Sequence, residues 1–225
     1  LFYTGTGILV IIMGPVLLLP SRFARSVARF WGYMTYLLLS IIGITQTVSG
    51  DLYLNRQVLY AVKHQSAWET IILSWLLAAP AFVLKRELLW LPIIGWFFLK
   101  TGCIPVDRSA GMSALRKMRA AGQNLAEKDR SMLIFPQGTR TDPSDRPDFK
   151  KGVARIYQAL NISCLPVIIN SGEAWPKNGN VNKNKKITIS VLKPIKPGLE
   201  GKQFLNSLQN TMYDVLNKTS SPSSA

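Results

Sequence analysis

The first fifty residues contain no acidic residue and only three charged side chains, Arg22, Arg25 and Arg29. On either side of those arginines lie two uncharged apolar stretches, residues 1–20 and 31–49. Each is close to the ~20 residues that a helix needs to cross a bilayer core. If both crossed, the arginine-bearing segment Ser21 to Phe30 would face away from the rest of the chain, against the positive-inside tendency. Two arrangements avoid this. The first helix spans and the second lies flat, or both dip into one leaflet as a hairpin, which places the arginines among anionic headgroups. Residues 1–50 are therefore expected to form an N-terminal membrane-associated helical hairpin. A buried helical pair inside a soluble fold is the alternative. No basic region precedes Leu1 and no small-residue cleavage site follows, so a removable signal peptide is not expected.

The remainder is strongly basic. The formal net charge is +15, from 27 basic and 12 acidic residues, and every acidic residue lies beyond residue 50. Such a balance suits a polyanionic partner, either an anionic lipid surface or a phosphorylated substrate. Nucleic acid is disfavoured, because no recognition motif accompanies the charge. Cys103 and Cys164 have neither metal-ligand nor disulfide-framework spacing and fit a reducing cytoplasm.

From residue 51 the hydrophobic pattern becomes α/β. Strands are expected at Gln57 to Val62, Ala81 to Leu84, Gly102 to Val106, Ser131 to Phe135, Leu165 to Asn170 and Ile187 to Leu192. Helices are expected at Trp68 to Leu77, Ala110 to Glu127, Gly152 to Leu160 and Gln203 to Leu216. Strands separated by helices imply a mostly parallel sheet covered on both faces. We expect a catalytic domain over residues 51–217 and a disordered serine-rich tail over 218–225.

His64 is the only histidine, and hence the one side chain whose ordinary pKa suits proton transfer near neutrality. Glu69 follows five residues later. Were both helical, their side chains would point about 140° apart. Ser66-Ala67-Trp68-Glu69 instead fits a capping box, which leaves His64 in the strand-to-helix loop, able to fold back over the first turn. Glu69 can cap the helix and orient the imidazole together, since a carboxylate has two oxygens. In Phe135-Pro136-Gln137-Gly138-Thr139-Arg140, Pro136 stops a strand and Gly138 permits close backbone approach. Thr139 and Arg140 there add a hydroxyl and a planar fork suited to phosphate. A polar turn with a surface arginine is the bland alternative. Gly102 to Arg108 ends in Asp107-Arg108, a structural ion pair or a further anion contact. Lys85 and Arg86 form another basic cluster at a strand end, and Lys183, Lys185 and Lys186 lie in a polar loop.

Taken together, these segments resemble the glycerophospholipid acyltransferase family, specifically its bacterial-type 1-acylglycerol-3-phosphate acyltransferases, over Val58 to Pro197. His64 with Glu69 matches the first family motif, and Gly102 with Asp107-Arg108 the second. Phe135 to Arg140 matches the third, and Leu165 to Ile169 the fourth. Two residues depart from the pattern. The first-motif acid is usually Asp and is Glu69 here, while the third-motif Glu is Gln137, which keeps an acceptor but loses the charge.

The resemblance implies transfer of a fatty acyl group from acyl-CoA or acyl carrier protein to the sn-2 hydroxyl of lysophosphatidic acid, at the cytoplasmic face of the inner membrane. His64 would be the general base and Glu69 its orienting partner. Arg140, with Gly138, Thr139, Lys85 and Arg108, would hold the acceptor phosphate, and Gln137 would position by hydrogen bonding. Neither metal nor cofactor is implied. Rival readings are a relative acting on another lysolipid such as a lyso-ornithine lipid, a thiol hydrolase using Cys103 and His64, and a non-enzymatic membrane-binding protein.

Overall fold

The computed structural model describes residues 7, 14–106, 111–127 and 130–220. Its centre is a seven-stranded sheet of β1 (Thr45–Ser49), β2 (Leu59–Val62), β3 (Ala81–Lys85), β4 (Ile104–Val106), β5 (Met132–Ile134), β6 (Cys164–Ile169) and β7 (Lys186–Val191), in spatial order β1-β7-β6-β2-β5-β3-β4. All neighbouring strands are parallel except β6 and β7, which run antiparallel. The expected mixed α/β fold with a mostly parallel sheet is thus present. The central strands Leu-Tyr-Ala-Val, Met-Leu-Ile and Cys-Leu-Pro-Val-Ile-Ile are buried along their whole length. A parallel sheet covered on both faces requires such continuous apolar runs.

Successive strand residues feed opposite cores, as the two-residue period demands. Leu59 and Ala61 of β2 point into one core, against Val153 and Ile156 of helix α5 (Lys151–Leu160) and Phe204, Leu208 and Met212 of helix α7 (Gly201–Ser220). Helix α4 (Gly111–Ala126) adds Met118 and Leu125 to this side. Tyr60 and Val62 point into the other core, against Trp68, Ile72 and Leu73 of helix α2 (Trp68–Leu76). Two further helices are α3 (Ile94–Thr101) and the single turn α6 (Ser171–Ala174).

The N-terminal region differs from expectation. Ser21–Ile41 is one continuous helix, α1, so the arginine-bearing segment is its first half rather than a turn between two helices. The helix also stops before the end of the stretch 31–49. Gly43 takes a left-handed φ of +80°, and Thr45, Thr47 and Val48, β-branched residues that pack well on a pleated surface, form β1, paired in parallel with β7. The sheet therefore begins before residue 51. α1 is seated on α2 by Gly32, where a Cβ would lie 2.7 Å from the Ile71 carbonyl oxygen and 2.8 Å from Trp75 Cβ. Ser74 Oγ donates to the Ala28 carbonyl across the same contact, at 3.0 Å. Of the first apolar stretch, Gly14–Leu18 forms a short 3-10 helix, and residues 1–6 and 8–13 lie outside the described residues. No helix among the described residues is long and apolar enough to cross a membrane.

Two other segments depart from the sequence pattern. Residues 86–101, to which the sequence pattern assigned no element, fold into a 3-10 helix (Arg86–Trp90) and α3. At the far end, α7 continues to Ser220, past the expected boundary at 217, and 221–225 lie outside the described residues.

Candidate active site

In a mostly parallel sheet the loops leaving the C-terminal strand ends converge, and ligands sit there. His64 lies two residues beyond β2, Lys85 is the last residue of β3, Phe135 to Arg140 follow β5, and Ser171 follows β6. Glu69, in the first turn of α2, is fully buried. Its carboxylate accepts hydrogen bonds from Ser66 N (2.9 Å), Gln65 N (3.0 Å) and Ser171 Oγ (2.5 Å). Ser66 Oγ in turn accepts from Trp68 N at 3.0 Å. One half of the expected capping box is present, the carboxylate reaching back over the turn to Ser66 N, while Ser66 Oγ takes the Trp68 amide and Ala67 stands at the N-cap.

The same carboxylate lies next to the imidazole. His64 Nδ1 stands 3.5 Å from Glu69 Oε2, at ion-pair distance but without hydrogen-bond geometry. That nitrogen is buried and has no hydrogen-bond partner among the described residues. The imidazole stacks on Phe135, with ring centroids 3.8 Å apart and planes 15° apart. Packed on one face and with Nδ1 turned toward a carboxylate, His64 presents its other edge to a cavity it helps to line.

The cavity has a volume of about 950 Å³. Its lining includes the polar or charged His64, Lys85, Thr139 and Arg140 with Gly138. It also includes apolar side chains from α1, β3 and the segment 86–101, among them Trp31, Val83, Leu91, Ile94, Phe97 and Phe98. Gly138 has a φ of +73°, and this left-handed turn brings Thr139 and Arg140 round to the cavity wall.

Other expected residues are placed differently. Gln137 is almost fully buried and does not line the cavity. Its Oε1 accepts from His64 N at 3.3 Å, so it braces the histidine loop rather than facing the cavity. Asp107 and Arg108 lie outside the described residues. Cys103 does line the cavity, but burial pushes its thiol above the ordinary value, which disfavours the thiolate a nucleophile needs.

Sequence reading missed several supports. Ser171 and Gln65 join β6 to the histidine loop, the latter by accepting from Gly172 N at 3.0 Å. Thr141 donates to the His64 carbonyl through its amide (2.9 Å) and its hydroxyl (3.2 Å). Lys63 is fully buried, with Nζ 2.7 Å from the Pro143 carbonyl. Desolvation, reinforced by nearby Arg146, lowers the Lys63 pKa to about 8. A lysine closing an otherwise apolar strand immediately before the only histidine was the available signal.

Known proteins are similar to this chain in sequence and in fold. A family model described as Acyltransferase matches residues 45–170. A 1-acyl-sn-glycerol-3-phosphate acyltransferase of Pseudomonas aeruginosa is 32% identical over 174 residues, covering 77% of this chain and 68% of that protein. The protein of the same name from Cocos nucifera is 27% identical, over 80% of this chain and 60% of its own length. That of Salmonella typhimurium is 26% identical, over 90% and 83%. The crystal structure of the 1-acyl-sn-glycerophosphate acyltransferase PlsC from Thermotoga maritima superposes with a TM-score of 0.71, over 100% of this chain and 91% of that one. At 19% identity it is a likeness of fold.

Proposed function

The chain belongs to the acyltransferase family, and from that premise we propose that it transfers a fatty acyl group from acyl-CoA or acyl carrier protein to the sn-2 hydroxyl of 1-acylglycerol-3-phosphate, giving phosphatidic acid. The observation that carries this reading is the position of His64. It is backed by buried Glu69 and lines a cavity whose wall carries both cationic and apolar side chains. A lysophospholipid carries the complement of both, an anionic head beside an alkyl chain.

In the proposed reaction His64 takes the proton of the acceptor hydroxyl as its oxygen attacks the thioester carbonyl carbon. The new C–O bond forms, the C–S bond of the tetrahedral intermediate breaks, and the thiolate leaves with the proton from the imidazolium. Glu69, a negative charge beside Nδ1, favours the imidazolium while it exists and fixes which nitrogen acts. A base placed in this way contributes roughly 10²–10⁴-fold. Arg140, with Lys85, Thr139 and the Gly138 turn, would hold the acceptor phosphate, and Arg108 is a further candidate. The Arg140 guanidinium has a planar fork that can meet two phosphate oxygens, which the Lys85 ammonium lacks.

We further propose that the enzyme works at the cytoplasmic face of the inner membrane, attached through its N-terminal region and the lip of the cavity. Large apolar side chains stand exposed on both, among them Leu18 (88%), Phe30, Trp90 (80%) and Trp96 (62%). Apolar exposure of this extent marks a surface built to be covered. Arginines at the start of α1 suit anionic headgroups.

The test is acyl transfer by wild type and Arg140→Lys, each with lysophosphatidic acid and with a lyso-ornithine lipid. The expected result is a preference for lysophosphatidic acid and a KM for it that rises roughly tenfold in the variant, as one lost charge-assisted bond would give. A preference for the ornithine lipid, or unchanged kinetics in Arg140→Lys, overturns the choice of acceptor and the clamp.

A further inference from the structure

Lys63 stands between β2 and the histidine, and its side chain is fully buried. Its ammonium donates to the Pro143 carbonyl at 2.7 Å, and no carboxylate among the described residues forms an ion pair with it. Asp145 attracts the charge from further off, whereas Arg146, which donates to the same carbonyl at 2.9 Å, repels it. Taking an ammonium out of water without pairing it costs stability, and an apolar residue of similar volume carries no such penalty. The stability of the fold therefore does not account for a lysine here.

The groups that its bond joins offer another reason. Pro143 lies three residues beyond Arg140. Between them, Thr141 binds the His64 carbonyl through its amide and its hydroxyl. A loop held at Thr141 alone has one fixed point and can pivot about it. The second anchor, at Pro143, removes that freedom. Both anchors fall on adjacent residues, Lys63 and His64, so the loop that bears Arg140 is registered on the histidine itself. Pro143 is also enclosed by α6, where a Cβ at Gly172 would lie 3.1 Å from Pro143 Cγ. Lys63 does not line the cavity, so whatever it contributes passes through this loop.

We propose that Lys63 is a positioning residue for the acceptor: by holding the Pro143 carbonyl, its ammonium fixes the angle at which Arg140 meets the acceptor phosphate. This deepens the acyltransferase reading and rests on the Arg140 clamp within it. A guanidinium ordered in advance spares the acceptor the cost of ordering it. The contribution therefore falls on acceptor binding, and the proton transfer at His64, braced by Glu69, Gln137 and Thr141, proceeds without Lys63.

The experiment measures kcat, acceptor KM and donor KM for wild type, Lys63→Met, Arg140→Ala and the double variant, with the folded fraction of each fixed by urea unfolding. Lys63→Gln, which keeps a donor on a shorter chain, is a second variant at the site. Lys63→Met should raise the KM for lysophosphatidic acid about two- to tenfold, the cost of ordering one long side chain. Donor KM and kcat should hold, a split that a general loss of structure would not give. In the Arg140→Ala background the same substitution should add nothing, because the group it positions is gone. In parallel, hydrogen exchange over residues 139–148 is followed without substrate, and Lys63→Met should speed it. This reads the anchor independently of the clamp. If Arg140→Ala raises acceptor KM and Lys63→Met does not, or if the two effects multiply, the clamp stands and the proposal is overturned. If Arg140→Ala leaves acceptor KM unchanged, the clamp itself fails and the proposal goes with it. Unchanged exchange in Lys63→Met would show that the bond anchors nothing, and loss of folding in both Lys63 variants would make it a requirement of the fold. Either result also overturns the proposal.

Discussion

Two regions that line the cavity are built on opposite principles. Around His64 several buried groups are held by hydrogen bonds: Glu69 accepts from three donor groups, Thr141 holds the His64 carbonyl twice, and Lys63 holds Pro143. Around residues 86–99 many side chains are apolar and exposed, among them Leu88, Trp90, Leu91, Ile94, Trp96 and Leu99. Ile93 there takes a φ of +62°, a conformation costly for a β-branched residue. The difference separates two tasks. Chemistry needs atoms fixed in a low-dielectric frame, whereas contact with a fluid lipid phase needs apolar area without fixed partners. Substitutions should therefore cost turnover in one region and membrane affinity in the other.

The largest effect is expected in the braced region. His64→Ala should lower kcat by roughly 10²–10⁴, the usual worth of a positioned base, with thermal stability close to wild type. Single-turnover measurement on the purified variant checks this, and retention of most of the rate would break the assignment.

Glu69→Gln should follow, with a clear fall in kcat and also a loss of stability. The amide keeps one acceptor oxygen but places a donor group against Gln65 N, Ser66 N or Ser171 Oγ, and a buried mismatch costs about 1–3 kcal/mol. Glu69→Asp should be milder in rate. Equal activity of the Glu and Gln enzymes, with only the melting temperature changed, would reduce Glu69 to a helix cap.

In the exposed region, Trp90→Ser combined with Trp96→Ser should weaken binding to anionic vesicles by roughly tenfold or more, because burying a large side chain is worth about 1.5–3 kcal/mol. Folding stability should change by less than about 1 kcal/mol, since neither side chain is buried in the fold. Vesicle co-sedimentation and chemical denaturation read the two quantities separately. A large stability loss with intact vesicle binding would show that these residues serve the fold, and the contrast between the two regions would fail.

The smallest effect concerns Lys63. Its folded pKa of about 8 lies below its ordinary 10.5. Between those values the unfolded chain holds a proton that the native state has released, so this residue makes stability rise with pH across that window. Below pH 8 its desolvation penalty is constant. Lys63→Met should flatten the rise, visible as a smaller difference in unfolding free energy between pH 8 and 10.5 than in wild type. Equal slopes would mean that Lys63 is solvated in the native protein.

Some of this organisation was written locally. The strands β2, β5 and β6 are short apolar runs, and the capping box sets Ser66 and Glu69 within one turn, so fold class and the His64–Glu69 pairing followed from neighbours in sequence. Local pattern failed where distant partners decided the outcome. Thr45–Ser49 continues an uncharged stretch that reads as helix, and becomes a strand because β7 offers a pairing edge 141 residues later. In the segment 86–101 apolar side chains line the cavity, as Phe97 and Phe98 do, and also stand exposed, as Trp90 and Trp96 do, so no single buried face marks it in the sequence.

The composition and spacing of this chain by themselves determined that a parallel sheet would form and that its single imidazole would sit at a strand end beside a carboxylate. Those are short-range consequences of side-chain period and helix capping. Only the tertiary structure decided that Gln137 braces the histidine loop instead of facing the cavity, that Ser171 completes the shell around Glu69 from 102 residues away, and that Lys63 is buried. Burial and hydrogen-bond closure depend on which loops meet above the sheet, and that is settled by strand order, a property no window of neighbouring residues contains.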